Sequence, residues 1–377
     1  MSADLALYIH IPFCRRKCLY CSFVSCAGRE ADIPAYVEAI AKELALRAKG
    51  ETVPTVYVGG GTPSLLSSAH VKQILLSVRS HFTVAQDAEI SMEANPGTVD
   101  GPYLNAIRST GINRLSLGVQ SLNDGELAML GRLHTAAEAR QAVAEARKAG
   151  FANLSLDLIY GLPGATLPQW QQTLEETVAL NPEHLSLYGL TLEEDSPLHK
   201  AIERGELPAI DQDASADQYE FSEDFLEEHG YVHYEISNWA KPGYECRHNL
   251  VYWRHGQYLG VGVAAHSYLD EHRLANTSDI DKYLQSLLDS EIPVDMDELI
   301  TPDLDLSETV ILGLRMTEGI TYRDIWRAFG FDSLWKYRAE IRELLQMGLL
   351  ESDGSNLRLT RRGRLLGNEV FLRFLPQ

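Results

Sequence analysis

Between residue 5 and about residue 190 the sequence repeats one unit six times: a short β-rich run, a turn, then a segment with helical period. The runs are Leu5 to Ile11, Thr55 to Val58, Glu89 to Glu93, Arg114 to Val119, Asn153 to Ile159 and His184 to Leu190. Between them, Ile33, Tyr36, Val37, Ile40 and Leu44 share one helical face, Ala137 to Lys148 is rich in alanine and charge, and Leu167 to Leu180 carries a proline at an acceptable early position. Strands alternating with helices connect by right-handed crossovers and so make a parallel sheet. Six units are fewer than the eight that close a TIM barrel. The expected fold class is therefore α/β, a partial (β/α)6 TIM-like barrel left open on one side.

In parallel α/β folds the functional groups collect at the carboxyl ends of the strands. Here the first run is followed by a cysteine loop and the second by Gly59-Gly60-Gly61-Thr62-Pro63; the third ends in Glu93, the fourth in Gln120, and the fifth carries Asp157. Buried parallel strands normally read as apolar runs, so a carboxylate or amide at the same end of several of them is costly unless it has a partner. Five aligned features of this kind imply a polar ligand in the barrel mouth. The glycines let backbone N–H and C=O groups approach it without a Cβ between.

The cysteine loop narrows the ligand. Cys14, Cys18 and Cys21 are spaced C-x3-C-x2-C directly after the apolar run Ile9-His10-Ile11-Pro12-Phe13. A cubic 4Fe-4S cluster wants four ligands, and three thiolates leave one iron open for chemistry. A zinc site is the alternative, with His10 or Cys26 as a formal fourth ligand. Five cysteines, an odd number with three packed into eight residues, do not form a disulfide framework. The formal charge of −20 disfavours nucleic acid as a partner. Neither a leader-like N-terminus nor an apolar run long enough for a transmembrane segment is evident, so a cytoplasmic location is expected.

The second half is less regular. Cys246-Arg247-His248-Asn249-Leu250-Val251-Tyr252-Trp253 groups a thiol, an imidazole and two aromatics. The segment resembles the H-N-x-x-Y-W motif of HemW-type haem chaperones, and the resemblance implies that Cys246, His248, Asn249, Tyr252 and Trp253 form a candidate haem segment; the chemistry is compatible, since haem iron accepts an imidazole or thiolate axially and aromatic rings stack on a porphyrin face. His10, His233, His255 and His266 are rival ligands. Gly260-Val261-Gly262-Val263-Ala264-Ala265 resembles a dinucleotide fingerprint but opens no β-α-β unit with a suitably placed acid, so it is rejected. Pro293 and Pro302, in an acidic stretch, mark a boundary. Beyond it, helices over Leu306 to Met316, Tyr322 to Phe329 and Leu334 to Met347 precede a hairpin around Asp353 to Asn356 and a last helix, a mostly helical, winged-helix-like order. Such a module raises a regulator reading, with Arg358, Arg361, Arg362 and Arg364 as phosphate contacts. The expected parts are a barrel over 1–235, an extension with the H-N-x-x-Y-W motif over 236–300, and a cap over 301–377.

The C-x3-C-x2-C spacing resembles that of the radical S-adenosylmethionine (SAM) superfamily. Tyr8-Ile9-His10-Ile11-Pro12-Phe13-Cys14, Gly59 to Pro63, Leu115 to Ser121, Leu130-Gly131-Arg132 and Asp157 to Pro163 together resemble its oxygen-independent coproporphyrinogen III oxidase group. The resemblance implies that Cys14, Cys18 and Cys21 bind the 4Fe-4S cluster and that Tyr8, Tyr20, Gly60, Gly61, Thr62, Glu93, Gln120, Arg132 and Asp157 contact SAM, some of them a second SAM in the oxidase. The group's true oxidases carry a fourth cysteine where this chain has Phe23. The H-N-x-x-Y-W motif is similar to that of HemW-type haem chaperones instead. That family implies haem, a haem-acceptor protein and an electron donor for the cluster as partners, with a homodimer left open. The alternative is an oxidase making protoporphyrinogen IX by oxidative decarboxylation.

Overall fold

In the computed structural model, which describes residues 5–330 and 333–376, the six repeats fold as six parallel strands. These are β1 (Ala6–Ile11), β2 (Thr52–Gly60), β3 (Thr83–Ala94), β4 (Arg114–Gln120), β5 (Leu154–Tyr160) and β6 (His184–Gly189). The connecting helices include α1 (Ile33–Arg47), α2 (Ser68–His81), α3 (Gly101–Thr110), α4 (Ala136–Lys148) and α5 (Leu167–Ala179). Helix α4 starts on a capping box of Thr135 with Glu138, and α5 on one of Thr166 with Gln169, with a proline in its first turn where no amide donor is needed.

The sheet is larger than the repeats. After α6 (Gln212–Glu228) come β7 (Val232–Glu235), β8 (Asn238–Ala240), the short helix α7 (Arg247–Trp253), β9 (Tyr258–Val261), β10 (His266–Leu269), β11 (His272–Asn276) and β12 (Val294–Leu299). Among the described residues the order is β12-β11-β10-β9-β1-β2-β3-β4-β5-β6-β8-β7. Strand β9 runs parallel to β1 and adds a seventh parallel strand; the others at each edge are antiparallel. Residues 236–300 thus extend both edges of the barrel sheet. The glycine-rich stretch near 260 is part of β9: a Cβ on Gly260 would stand 2.0 Å from the His266 carbonyl oxygen of β10, so strand pairing there requires glycine.

Buried Glu43 of α1 fastens this edge. Its carboxylate accepts from the Gly262 amide (2.9 Å), Tyr283 Oη (2.7 Å), Asn276 Nδ2 (2.7 Å) and Arg47 Nε (3.2 Å). A buried charge so fully bonded is compensated; removing one donor would leave it short.

Side-chain alternation decides what the barrel holds. Ile9, Val58, Met92, Leu115 and Leu154 come into register across five strands, all at most 1% exposed, and face the helices. The opposite face is polar through its depth: Tyr8, Tyr57, Ser91 and Arg114 form one row, Glu93, Ser116, Ser155 and His184 the next, and Asp157 and Ser186 a third. The expectation of apolar strands with polar groups at one rim is corrected here, because the barrel interior is not the hydrophobic core. That core lies between sheet and helices.

A second hydrophobic cluster fills the C-terminal module: α8 (Pro302–Arg315), α9 (Tyr322–Phe329), α10 (Arg338–Gln346) and a three-stranded sheet of Ile320–Thr321, Leu350–Ser352 and Asn356–Leu359. Three of the four arginines weighed as phosphate contacts are engaged by carboxylates instead, while Arg362 stays exposed and donates to the Met347 carbonyl at 3.3 Å. Arg364 Nε reaches Glu223 at 2.6 Å and Arg361 Nη1 reaches Asp224 at 2.6 Å, both on α6 of the barrel, and Arg358 pairs with Glu351. No described helix is long and apolar enough to cross a membrane.

Candidate functional site

A cavity of about 300 Å³ opens at the carboxyl ends of the parallel strands. Cys14, Cys18 and Cys21 line it, together with Tyr20, Gly60, Gly61, Thr62, Glu93, Gln120, Arg132 and Asp157. Of the residues expected around SAM, Tyr8 alone stands behind this wall, its ring stacked on Tyr57 and its hydroxyl 3.0 Å from His10 Nδ1.

Local backbone shape places the groups. Gly60 has φ +119°, a conformation that disfavours other residues, and its N–H donates to Glu93 Oε2 at 3.0 Å. Gly61 packs on the cysteine loop: a Cβ there would lie 2.9 Å from the Phe13 carbonyl oxygen and 3.0 Å from Cys14 Sγ. Gln120 sits at positive φ (68°) where β4 shifts register against β5, which turns the strand end toward the mouth.

The electrostatics are those of a half-built site. Glu93 accepts from Gly60 N–H and, at 2.9 Å, from the Tyr57 hydroxyl; burial pushes its pKa up to about 7, and the charge of Asp157 pushes the same way. Asp157 is also raised by burial, while hydroxyls of Ser186, Ser116 and Ser155 favour its ionised form. Arg132 donates to the Gly118 carbonyl (2.7 Å), to Asn95 Oδ1 and, more weakly, to Cys18 Sγ (3.4 Å); its buried Nε has no partner. Asn95 Nδ2 donates to Thr62 Oγ1 (3.0 Å), which stands 3.5 Å from Cys14 Sγ. One chain of hydrogen bonds therefore links two of the cysteines to the glycine loop. Sequence reasoning missed Asn95, Arg114, Ser116 and Tyr57 in this wall; the alternation Arg114-Leu115-Ser116-Leu117-Gly118 was the signal that held two of them.

The donor set suits a cluster with an open position better than a zinc ion. Three thiols on one loop face the cavity, while His10 Nε2 is 2.9 Å from the Val24 carbonyl and Cys26 Sγ approaches that of Pro12. Burial raises the Cys21 thiol pKa, a cost that iron coordination would offset.

The H-N-x-x-Y-W segment lies elsewhere, at the amino ends of the strands. Helix α7 plugs the barrel floor, and Glu89 accepts from the Arg247 (3.0 Å) and His248 (3.2 Å) amides at its first turn. His248 is 1% exposed; Nδ1 lies 2.9 Å from Thr55 Oγ1 and Nε2 lies 2.8 Å from Tyr252 Oη. Burial, helped by Arg114, pushes its pKa down to about 3. Cys246 is fully buried beside Glu89, its thiol pushed up to about 12. Trp253 stacks under the Arg315 guanidinium at 4.4 Å. In this conformation both His248 ring nitrogens and the Cys246 thiol are engaged by protein groups, and Asn249 is the member of the group that lines the cavity. Among the rivals, His233 stacks on Trp239 at 4.0 Å, His255 is held by Thr309 Oγ1 at 2.9 Å, and His266 is exposed on β10.

Comparison with known proteins gives a consistent picture. The model of the radical SAM superfamily matches residues 8–177 and that of the HemN C-terminal domain matches 300–366. A protein of Bacillus subtilis named heme chaperone HemW is 34% identical over 98% of this chain and 99% of its own length. One of the same name from Synechocystis is 41% identical over 85% of this chain and 80% of its own. Among solved structures, coproporphyrinogen III oxidase (HemN) from Escherichia coli, described as a radical SAM enzyme, is similar with a TM-score of 0.87 and 26% identity over 99% of this chain and 90% of that one.

Proposed function

The chain belongs to the HemW family of radical SAM proteins, and from that membership we propose that it is a haem chaperone, taking up haem and passing it to an acceptor protein. The observation that carries this over the oxidase reading is Phe23, 64% exposed at the cavity wall where the oxidase group has its fourth thiol.

In this proposal Cys14, Cys18 and Cys21 hold a 4Fe-4S cluster, and SAM lies against Gly60, Gly61, Thr62 and Glu93. When bound, the cluster supplies the electron for SAM cleavage. The chain's own residues do the rest: Thr62 and Asn95 brace the Cys14 side of the loop, Arg132 braces the Cys18 side, and Glu93 with Asp157 presents hydrogen-bond acceptors to ribose hydroxyls. Haem is cargo rather than a resident group. An electron donor completes the set of partners, and a reducing compartment such as the cytoplasm suits five free cysteines.

One anaerobic preparation with reconstituted cluster tests both readings. Haem uptake near one per chain is expected, with no decarboxylation of coproporphyrinogen III when reductant and SAM are supplied. Catalytic formation of protoporphyrinogen IX would overturn the chaperone assignment.

A further inference from the structure

Arg114 opens strand β4 and is 2% exposed, yet among the described residues its guanidinium makes no ion pair and no hydrogen bond, and its Nε is buried without a partner. Arg47, whose side chain is 7% exposed, shows what a sunken arginine ordinarily has: it pairs with Glu43 at 3.2 Å. The carboxylates inside the barrel are engaged elsewhere. Glu89 accepts from the Arg247 and His248 amides, Glu93 from the Gly60 amide and the Tyr57 hydroxyl, and Asp157 from Ser116 and Ser155. A cation buried in this way costs stability until an anion joins it.

Arg114 also lines the main cavity. It lies four residues before Gly118 on β4, about 13 Å deeper at ~3.3 Å per residue. Arg132, on the cluster side, bonds the Gly118 carbonyl, so the two cations mark opposite ends of one cavity. After burial, Arg114 is the largest influence on the His248 ring and the Cys246 thiol, which sets it over the floor helix α7. From that helix Asn249 lines the same cavity, its side-chain amide without a hydrogen bond among the described residues. A guanidinium fork beside an unbonded amide suits a planar carboxylate. Glu93 and Asp157 line the cavity as well and would repel a phosphate dianion more strongly than a singly charged group.

We propose that Arg114 and Asn249 form a carboxylate-binding subsite at the barrel floor, apart from the SAM contacts at the mouth. The subsite stands whether or not haem is the cargo. The chaperone reading bears only on the source of the carboxylate, a porphyrin propionate or a free small acid.

Equilibrium dialysis of the full chain, with cluster reconstituted and ionic strength held constant by chloride, tests this with radiolabelled propionate. Propionate binding should weaken at least tenfold in Arg114→Met and less in Arg114→Lys, which keeps the charge without the fork. Inorganic phosphate should compete at least tenfold more weakly than unlabelled propionate. Arg114→Met removes an unpaired buried charge and should fold as stably as wild type; if it does not fold, Asn249→Ala carries the test, with an expected weakening of at least threefold. Propionate binding equal to wild type in these variants overturns the proposal. Stoichiometric displacement of propionate by SAM also overturns it, because Arg114 would then hold SAM's own carboxylate. Haem and its dimethyl ester separate the sources. A porphyrin arm on Arg114 predicts that wild type binds haem at least tenfold more tightly than the ester and that Arg114→Met loses the preference, whereas equal binding of the two assigns the subsite to a free acid. Wild type that takes up no haem would sink the chaperone reading, while the dialysis still reads the subsite.

Discussion

The two ends of the barrel carry equally conspicuous sequence motifs and treat them in opposite ways. At the mouth, polar groups are left short: the Arg132 Nε is buried without a partner, Glu93 is held near neutrality, and three thiols face open space. At the floor both nitrogens of the His248 ring are bonded and Glu89 caps the helix that carries it, while the buried Trp253 Nε1 of that helix is left without a hydrogen-bond partner. An unsatisfied buried group costs stability and persists where a ligand completes it; a satisfied network specifies packing. The contrast lies in the thiols and the His248 ring: Cys14, Cys18 and Cys21 line open space, whereas the imidazole of the motif Cys246 to Trp253 is closed on both nitrogens.

The strongest attempt to break this contrast is His248→Ala. It removes a buried ring and leaves Thr55 and Tyr252 unpaired, so denaturant unfolding should show a loss of about 3 kcal/mol. Haem affinity should fall only in step with stability. A variant stable as wild type but unable to take haem would mean that α7 swings out to offer the imidazole, and the plug reading would fail. The pH dependence sharpens the point. The folded pKa is about 3, below the ordinary 6.5, so the neutral ring's contribution is full above pH 6.5 and fades as pH falls toward 3. Wild type should therefore lose more stability on acidification than the variant.

Glu93→Gln probes the mouth with the opposite sign. Its carboxyl is raised from the ordinary 4.5 to about 7, so its contribution is full below pH 4.5 and lost as pH rises through 7. Wild type at pH 8 carries a strain of up to about 3 kcal/mol, at about 1.4 kcal/mol per pKa unit. The amide variant should be more stable at pH 8, unchanged at pH 4.5, and weaker in SAM binding by equilibrium dialysis. Equal stability change at both pH values would remove the distinction between the two ends.

Asn249→Ala should produce the smallest effect. Asn249 belongs to the floor helix yet lines the cavity, so thermal unfolding should move by under about 0.5 kcal/mol, as for a site outside a satisfied network. A loss as large as that of His248→Ala would place it in the plug.

Much of this was readable beforehand. The six repeats appear as β1 to β6 with helices between, and the glycine loop, Glu93, Gln120, Arg132 and Asp157 meet the three cysteines at one mouth. These groups lie at strand ends, where period-2 alternation and turn residues fix position locally. What escaped depends on distant partners. Strand β9 was hidden because Gly260 gives no strand signal until β10 is seen pressing on it. Arg358, Arg361 and Arg364 look solvent-facing until α6 and the adjacent hairpin strand supply their carboxylates.

The amino-acid order alone determined the repeat, the barrel class and a three-thiolate loop, because each is written in spacing between near neighbours. Only the tertiary structure decided that the barrel interior is polar to its floor and that His248 closes that floor. What an imidazole can do depends on what stands opposite its two nitrogens; Tyr252 is a near neighbour, but Thr55, 193 residues away in the chain, comes to the ring only when the sheet curls.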